Sequence, residues 1–300
     1  MNARMQALVL ADGRLHLNDG PIDLIIGAQG DYERAYRAAI RRFSSLLDEL
    51  CAELPLLRTA SAPAGARPHG ATARRMDAAV RPHGARVFIT PMAAVAGAVA
   101  DEVLAAMTGA AELSRAFVNN GGDIALHLTD DAAFTIGMVE LPGTPNLFGA
   151  TRIASGDPVR GVATSGWRGR SFSLGVADSV TVLAHGAATA DACATLVANA
   201  VDLPGHPAIS RAPACDFDPQ SDLGRRLVTR AVGPLAAREV DAALEPGVAE
   251  ARRLMADGVI FAAALRLQGA TRVVGAHRFG ARPSALAQDS GSGQERIAHG

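Results

Sequence analysis

Residues 161–202, GVATSGWRGRSFSLGVADSVTVLAHGAATADACATLVANAVD, constrain this chain most. A strand-like apolar run ends there at a helix that carries Asp191 and Thr195. Four residues apart on a helix means one face, with the side chains stacked a turn apart. Asp and Thr are hard oxygen donors, and together they could begin an oxygen-only cation site. The small Ala190, Ala192 and Ala194 around them leave room for a phosphate or a cofactor to come close.

The remaining pattern is strands interleaved with a few long helices. Short strands are expected at 6–11, 14–17 and 23–28, separated by Asp-Gly turns. From 31 to 54, Ala35, Ala38, Ala39, Phe43, Leu46, Leu47 and Leu50 recur at helical spacing up to Pro55. Residues 58–85 are rich in Ala, Pro, Gly and Arg and repeat RPHGA, which predicts a long loop with His69 and His83 in solvent. In that loop Arg74 and Arg75 form a guanidinium pair of the kind that suits pyrophosphate oxygens, although a solvated pair is the simpler reading. Thr90 and Pro91 then open a helix over MAAVAGAVADEVLAAM, whose small residues suit close packing and burial.

Next, RAFVNNGGDIALHL reads as a hairpin turning at Asn120, Gly121 and Gly122, with Asn119 and Asp123 as its hydrogen-bonding residues. A strand is expected at 133–140, helices at 219–232 and 235–257, and a hairpin over 258–276 turning near Gln268 and Gly269. Without regular βαβ alternation, this order predicts an α+β fold of mixed or antiparallel sheets packed with several long helices. Residues 1–279 are expected to form one domain, or two interleaved subdomains. The segment 280–300 carries too little apolar surface to offset its ordering entropy and is expected to be a disordered tail.

Composition removes several classes of function. With 300 residues, 49% hydrophobic and 20% charged, the chain reads as soluble and globular, and a net charge of -1 points to neither nucleic acid nor an anionic membrane surface. All 29 basic residues are arginine, so Schiff-base chemistry and a lysine-dependent phosphate loop are excluded. Cys51, Cys193 and Cys215 lack metal-site or disulfide spacing and fit a reducing cytoplasm. The first residues hold too short an apolar run for a signal-peptide core, and no apolar run is expected to reach the roughly 20 residues that span a bilayer.

Three segments carry a resemblance: NNGGDI at 119–124, ATSG at 163–166, and SVTVLA at 179–184 followed by ADACAT at 190–195. In order and wording they resemble the FAD:protein FMN transferases of the ApbE type. With FITPMAAVAGAVADEV at 88–103 included, residues 5–275 more closely resemble an uncharacterised ApbE-related family. The resemblance implies an ApbE-like fold and a magnesium ion held by Asp191, Thr195 and the carbonyl of Ala96. It also implies a FAD site lined by Asn119, Gly121, Gly122 and Asp123 from the hairpin and by Thr164, Ser165 and Gly166 from the turn. In those transferases FMN passes to a threonine hydroxyl of a client protein, so a flavin nucleotide or related phosphorylated small molecule and a client are the implied partners. Magnesium suits this donor set, since it takes one or two carboxylates and completes its shell with phosphate and water.

Two departures qualify that expectation. The transferases carry H-x-x-D-P-x-T-G between A-T-S-G and S-V-T-V, where this chain has only residues 167–178 and no histidine. They also carry G-G-I-A-K-G where this chain reads AAVAG at 93–97. Losing a positioned acid or base usually costs about 10² to 10⁴ in rate. His185, Asp178 and Arg170 are the candidate replacements. The expected function is therefore magnesium-dependent FMN transfer or FAD pyrophosphate cleavage. The alternatives are a flavin or phosphorylated-metabolite binder without transferase chemistry, and an enzyme acting on an unrelated metabolite.

Overall fold

The computed structural model describes residues 4–139, 147–275 and 296–298. They form an α+β protein whose chain divides into two compact units with interleaved segments. The first takes residues 1–130, 159–163 and 184–192; the second takes 131–158, 164–183 and 193–300.

In the first unit, β1 (Gln6–Val9), β2 (Leu15–Asp19), β3 (Ile22–Gly30), β4 (Leu113–Asn120) and β5 (Asp123–Leu128) lie side by side, each antiparallel to its neighbour. The opening residues of β8 (Gly161–Ser165) extend that sheet beside β5, with Val162 opposite Ile124. Alternation sets the register, because Leu15 and Leu17 of β2 and Ile22, Leu24 and Ile26 of β3 all face the core. Helix α1 (Tyr32–Ala52) starts at Asp31, whose carboxylate accepts the N–H of Arg34 at 3.3 Å. Tyr36 then ties that helix to the first hairpin by donating its hydroxyl to the carbonyl of Gly13, a turn residue at φ +84°.

Several expectations change here. Pro55 does not simply end the helix but sits in a short second turn, α2 (Leu54–Leu57), where its missing N–H is tolerated. The predicted loop 58–85 contains helix α3 (Ala71–Val80), which buries Ala73, Met76 and Val80, so three apolar positions at helical spacing prevail over the Pro-Gly flanks. His83 is buried rather than solvated, and Arg75 reaches Glu102 at 2.8 Å. The 20-residue run Pro91–Ala110, whose most apolar 18 residues have mean hydropathy 1.4, is long and apolar enough to cross a membrane by length and composition, contrary to expectation. Its helical part, α4 (Val95–Ala110), is a core element that packs on α1, α3, β4 and β5.

Glu102 of α4 joins three helices, accepting from Arg42 of α1 at 2.9 Å and Arg75 of α3 at 2.8 Å. Burial pushes its carboxyl up, but hydrogen bonds from Arg75 and Arg42 outweigh burial and hold it below the usual range. Glu102→Gln should cost about 1–3 kcal/mol at pH 7. Because the folded pKa is depressed below 4.5, that difference should be complete above pH 4.5 and shrink as the pH falls through the folded value. Urea unfolding at pH 3 and pH 7 checks it; an equal difference at both would rule the ion pairs out as its source.

In the second unit β9 (Ser179–Ala184), β12 (Ile260–Leu267) and β13 (Ala270–Val274) are neighbours in that order, with α6 (Ala237–Ala256) against the last two. β6 (Ala133–Val139) and β7 (Leu147–Ala154) form an antiparallel pair, and β14 (Arg296–Ala298) lies parallel to β6. Apart from β14, the segment expected to be a disordered tail lies outside the described residues, as does Glu140 at the end of the predicted strand. Helix α5 (Ala187–Ala200) begins in the first unit and ends in the second.

The helix predicted at 219–232 is not formed. Those residues make turns and then β11 (Leu227–Val232), which pairs antiparallel with β10 (Ile209–Pro213). Gly224 at φ +55° breaks any helix in that stretch, and β-branched Val228 and Thr229 favour the strand. The 258–276 hairpin turns as predicted, with Gln268 at φ +44° and Gly269 at φ +86°.

Candidate functional site

The first unit brings the starts of two helices together. Gly97, in the first turn of α4, lies so close to the start of α5 that a Cβ would run into the carbonyl of Ala187. The expected cap Thr90 precedes only a 3₁₀ turn, Pro91–Ala94, and Ala94 gives α4 no side-chain cap. The free N–H groups are instead met crosswise. Asp191 of α5 accepts the Gly97 N–H at 3.1 Å, with Ala96 N–H contributing, while Asp101 of α4 accepts Ala187 and Ala188 N–H at 3.0 and 2.9 Å. Each helix carries the carboxylate that caps the other.

This arrangement has an electrostatic cost. Burial pushes the Asp191 carboxyl up to about 7, since the Gly97 and Ala96 N–H groups offset only part of it and Asp101 adds a like charge. Asp101 is raised as well, by burial first, although its two backbone donors oppose that. Among the described residues no arginine or histidine forms an ion pair with Asp191.

The glycine hairpin reaches the same place. Gly121 and Gly122 take φ +62° and +109°, and Asn119 Oδ1 accepts the Gly122 N–H at 2.8 Å, so the turn is held by its own side chain. The neighbouring Asn120 donates Nδ2 to the carbonyl of Ala96 at 3.1 Å. That carbonyl is the one implied as a metal ligand. Asp123, opposite Asn120 in the ladder, is buried. His185, just before α5, is exposed.

The second unit holds the other candidates. Thr164 Oγ1 and Thr181 Oγ1 are 2.9 Å apart, and Ser165 is partly buried. Gly166 is required for packing, because a Cβ there would meet the carbonyl of Asp178. Asp178 is saturated by donors: Trp167 Nε1 at 3.2 Å, Arg168 Nε at 2.7 Å and the Gln268 N–H at 2.5 Å. Arg170 is exposed, and Thr195 stands partly buried one turn along α5 from Asp191.

The family model described as AbpE bacteria, the bacterial ApbE-like family, matches residues 7–273. The chain belongs to that family. It is also similar to uncharacterised UPF0280 proteins. That of Methanothermobacter thermautotrophicus is 41% identical over 119 residues, covering 39% of this chain and 44% of the relative. That of Methanococcoides burtonii is 36% identical over 130 residues, 43% and 53% of the two chains. That of Methanopyrus kandleri is 35% identical over 164 residues, 54% and 62% of the two. The chain thus spans about half the length of these curated relatives.

In this ApbE-like protein the structure brings Ala96, Asn119, Gly121, Gly122, Asp123 and Asp191 into the first unit. Thr164, Ser165, Gly166 and Thr195 belong to the second. Sequence reading missed Asp101 and Asn120 as parts of the site. The ADE at 100–102 carried no sign that Asp101 caps a helix 86 residues away, whereas the second asparagine of NNGG could have been noticed as a turn donor.

Proposed function

We propose that this ApbE-like protein has an ApbE-like fold, acts in the cytoplasm and binds a flavin nucleotide through its pyrophosphate with a magnesium ion at Asp191. The observation that supports this reading is the partly buried Asp191 carboxyl at the α4–α5 start, which accepts backbone N–H groups and, among the described residues, forms no ion pair with a cationic side chain. The donors fit the ion: the Asp191 carboxylate and Thr195 hydroxyl of α5 and the Ala96 carbonyl of α4 are all hard oxygens. Magnesium commonly takes only one or two protein carboxylates and completes its shell with phosphate and water.

When bound, magnesium would neutralise charge on the pyrophosphate oxygens. Asp191 would hold it, with Thr195 and the Ala96 carbonyl as the further donors. Asn119 and Asn120 would keep the hairpin and the α4 start rigid beside the nucleotide, and Thr164, Ser165 and Gly166 would line it, as the resemblance implies. The reaction class is phosphoryl transfer, in which a client hydroxyl or water forms the new P–O bond to FMN and AMP leaves. His185 is the candidate proton acceptor.

Incubating the purified protein with FAD and magnesium should release FMN and AMP in equal amounts, or flavinylate a threonine-bearing client, and EDTA should stop it. Retained FAD without product would favour the second reading, a flavin binder without transferase chemistry. That reading has its own support: residues 167–178 contain no histidine, and the Asp178 carboxylate is already occupied by three donors.

A further inference from the structure

The segment 167–178 is built, not merely shortened. Its neck is closed by the Trp167 N–H on the carbonyl of Ala177 at 3.0 Å and by Gly166 packed on Asp178, and its first turn by the Gly169 N–H on the Gly166 carbonyl at 3.1 Å. Within it the buried Asp178 fixes two side chains through a single oxygen: Oδ1 accepts from both the indole N–H of Trp167 and the guanidinium of Arg168. Oδ2 is taken by the backbone of Gln268 in the β12–β13 turn, so the carboxylate itself is anchored to the sheet. The Arg168 guanidinium lies 4.9 Å from the centroid of the indole ring. The same segment takes part in a second arginine–aromatic stack, in which Arg230 lies over Phe172 and Phe217 at 5.8 and 3.9 Å. This concentration is notable in a chain that is 4% aromatic and has one tryptophan.

A tryptophan fixed at its N–H loses little further freedom when a ring stacks on it, so stacking there costs less ordering entropy than on a mobile side chain. Trp167 is only partly buried, and Arg168 and Arg170 beside it are exposed. An aromatic face next to guanidinium edges matches a planar heteroaromatic ring that carries phosphate. We propose that residues 167–170, within the second unit, form a ring platform for such a ligand, with Trp167 stacking on the ring, Arg168 and Arg170 meeting its phosphate, and Asp178 as the positioning residue. This rests on the flavin-nucleotide reading above for the identity of the ligand, and it changes Asp178 from a candidate catalytic group to a support.

FMN, which fluoresces, is the probe. Indole in contact with a flavin quenches its emission by electron transfer, and phenyl does not. Wild-type protein should retain FMN in equilibrium dialysis and dim its emission when the flavin itself is excited. Trp167→Phe, which keeps a ring, should retain FMN within about threefold and leave it bright, while Trp167→Ala should weaken retention by about fivefold or more. Retained FMN that stays bright on the wild type, or dims equally on Trp167→Phe, overturns the platform and leaves the flavin reading standing. ADP is run in parallel. ADP retained without FMN, and weakened by Trp167→Ala, keeps the platform with adenine as its ring and removes the flavin. If neither is retained the platform is wrong, and FAD retention in a third cell then decides the flavin reading separately.

Discussion

Gly97→Ala is expected to lower stability by about 2–3 kcal/mol, a large loss for a single methyl group on a helix. In an exposed helix the same change would stabilise by about 1 kcal/mol, because glycine is the poorer helix former. Here the added Cβ meets the carbonyl of Ala187 and the N–H of Ala188, backbone atoms that cannot rotate away. To relieve the clash the starts of α4 and α5 must separate. Separation pulls Ala187 and Ala188 from Asp101, and Gly97 from Asp191, so both crosswise caps weaken together. Gly109, near the other end of α4, is the internal control, since a Cβ there meets nothing within 4 Å. Gly109→Ala should raise the urea midpoint while Gly97→Ala lowers it. A Gly97→Ala protein within about 0.5 kcal/mol of wild type would mean that the helix starts are not held together as described.

What the sequence made legible was local. The hairpin at 119–124 could be placed because glycines at positive φ are required wherever a two-residue turn joins two apolar strands. Helix α1 could be placed because its apolar stripe runs for five turns. Helix α3 was missed because its ten residues bury only two large apolar side chains, Met76 and Val80, beside small and polar ones, and the Pro-Gly repeats on either side read as loop. The 219–232 stretch was misread because leucine and arginine spacing can imitate a helix when its partner strand, β10, cannot be seen. At the site, Asp191 was legible as one of two oxygens on a helix face, but its use was not. The donors it meets belong to a helix 94 residues earlier, and its reciprocal partner Asp101 lies in a run that looks like plain core helix. Crosswise capping is a tertiary fact.

On the proposed reading, metal affinity should depend steeply on pH, and the cause is the Asp191 carboxyl. A magnesium ion binds the carboxylate and not the acid, so with Asp191 near 7 the proton competes with the metal below that value. Apparent magnesium affinity should rise about tenfold per pH unit from pH 5 to pH 7 and level off above it. Asp191→Asn, whose amide oxygen can still accept the Gly97 N–H, should lose both most of the affinity and the slope. Stability without metal runs the other way. The folded-state pKa lies above the ordinary 3.8, so the folded form holds the proton more tightly. The contribution of this carboxyl is therefore complete below pH 3.8 and is lost as the pH rises to about 7. Wild type measured against Asp191→Asn in urea, in EDTA, should lose relative stability between pH 4 and pH 7 and then stay level. Saturating magnesium should reverse that loss above pH 7 in the wild type alone, because a ligand that binds only the folded form stabilises it. Parallel profiles for the two proteins in EDTA would make Asp191 an ordinary cap, whose burial is met in full by the α4 N–H groups. The reversal by magnesium separates a cap that only joins two helices from one that also waits for a cation.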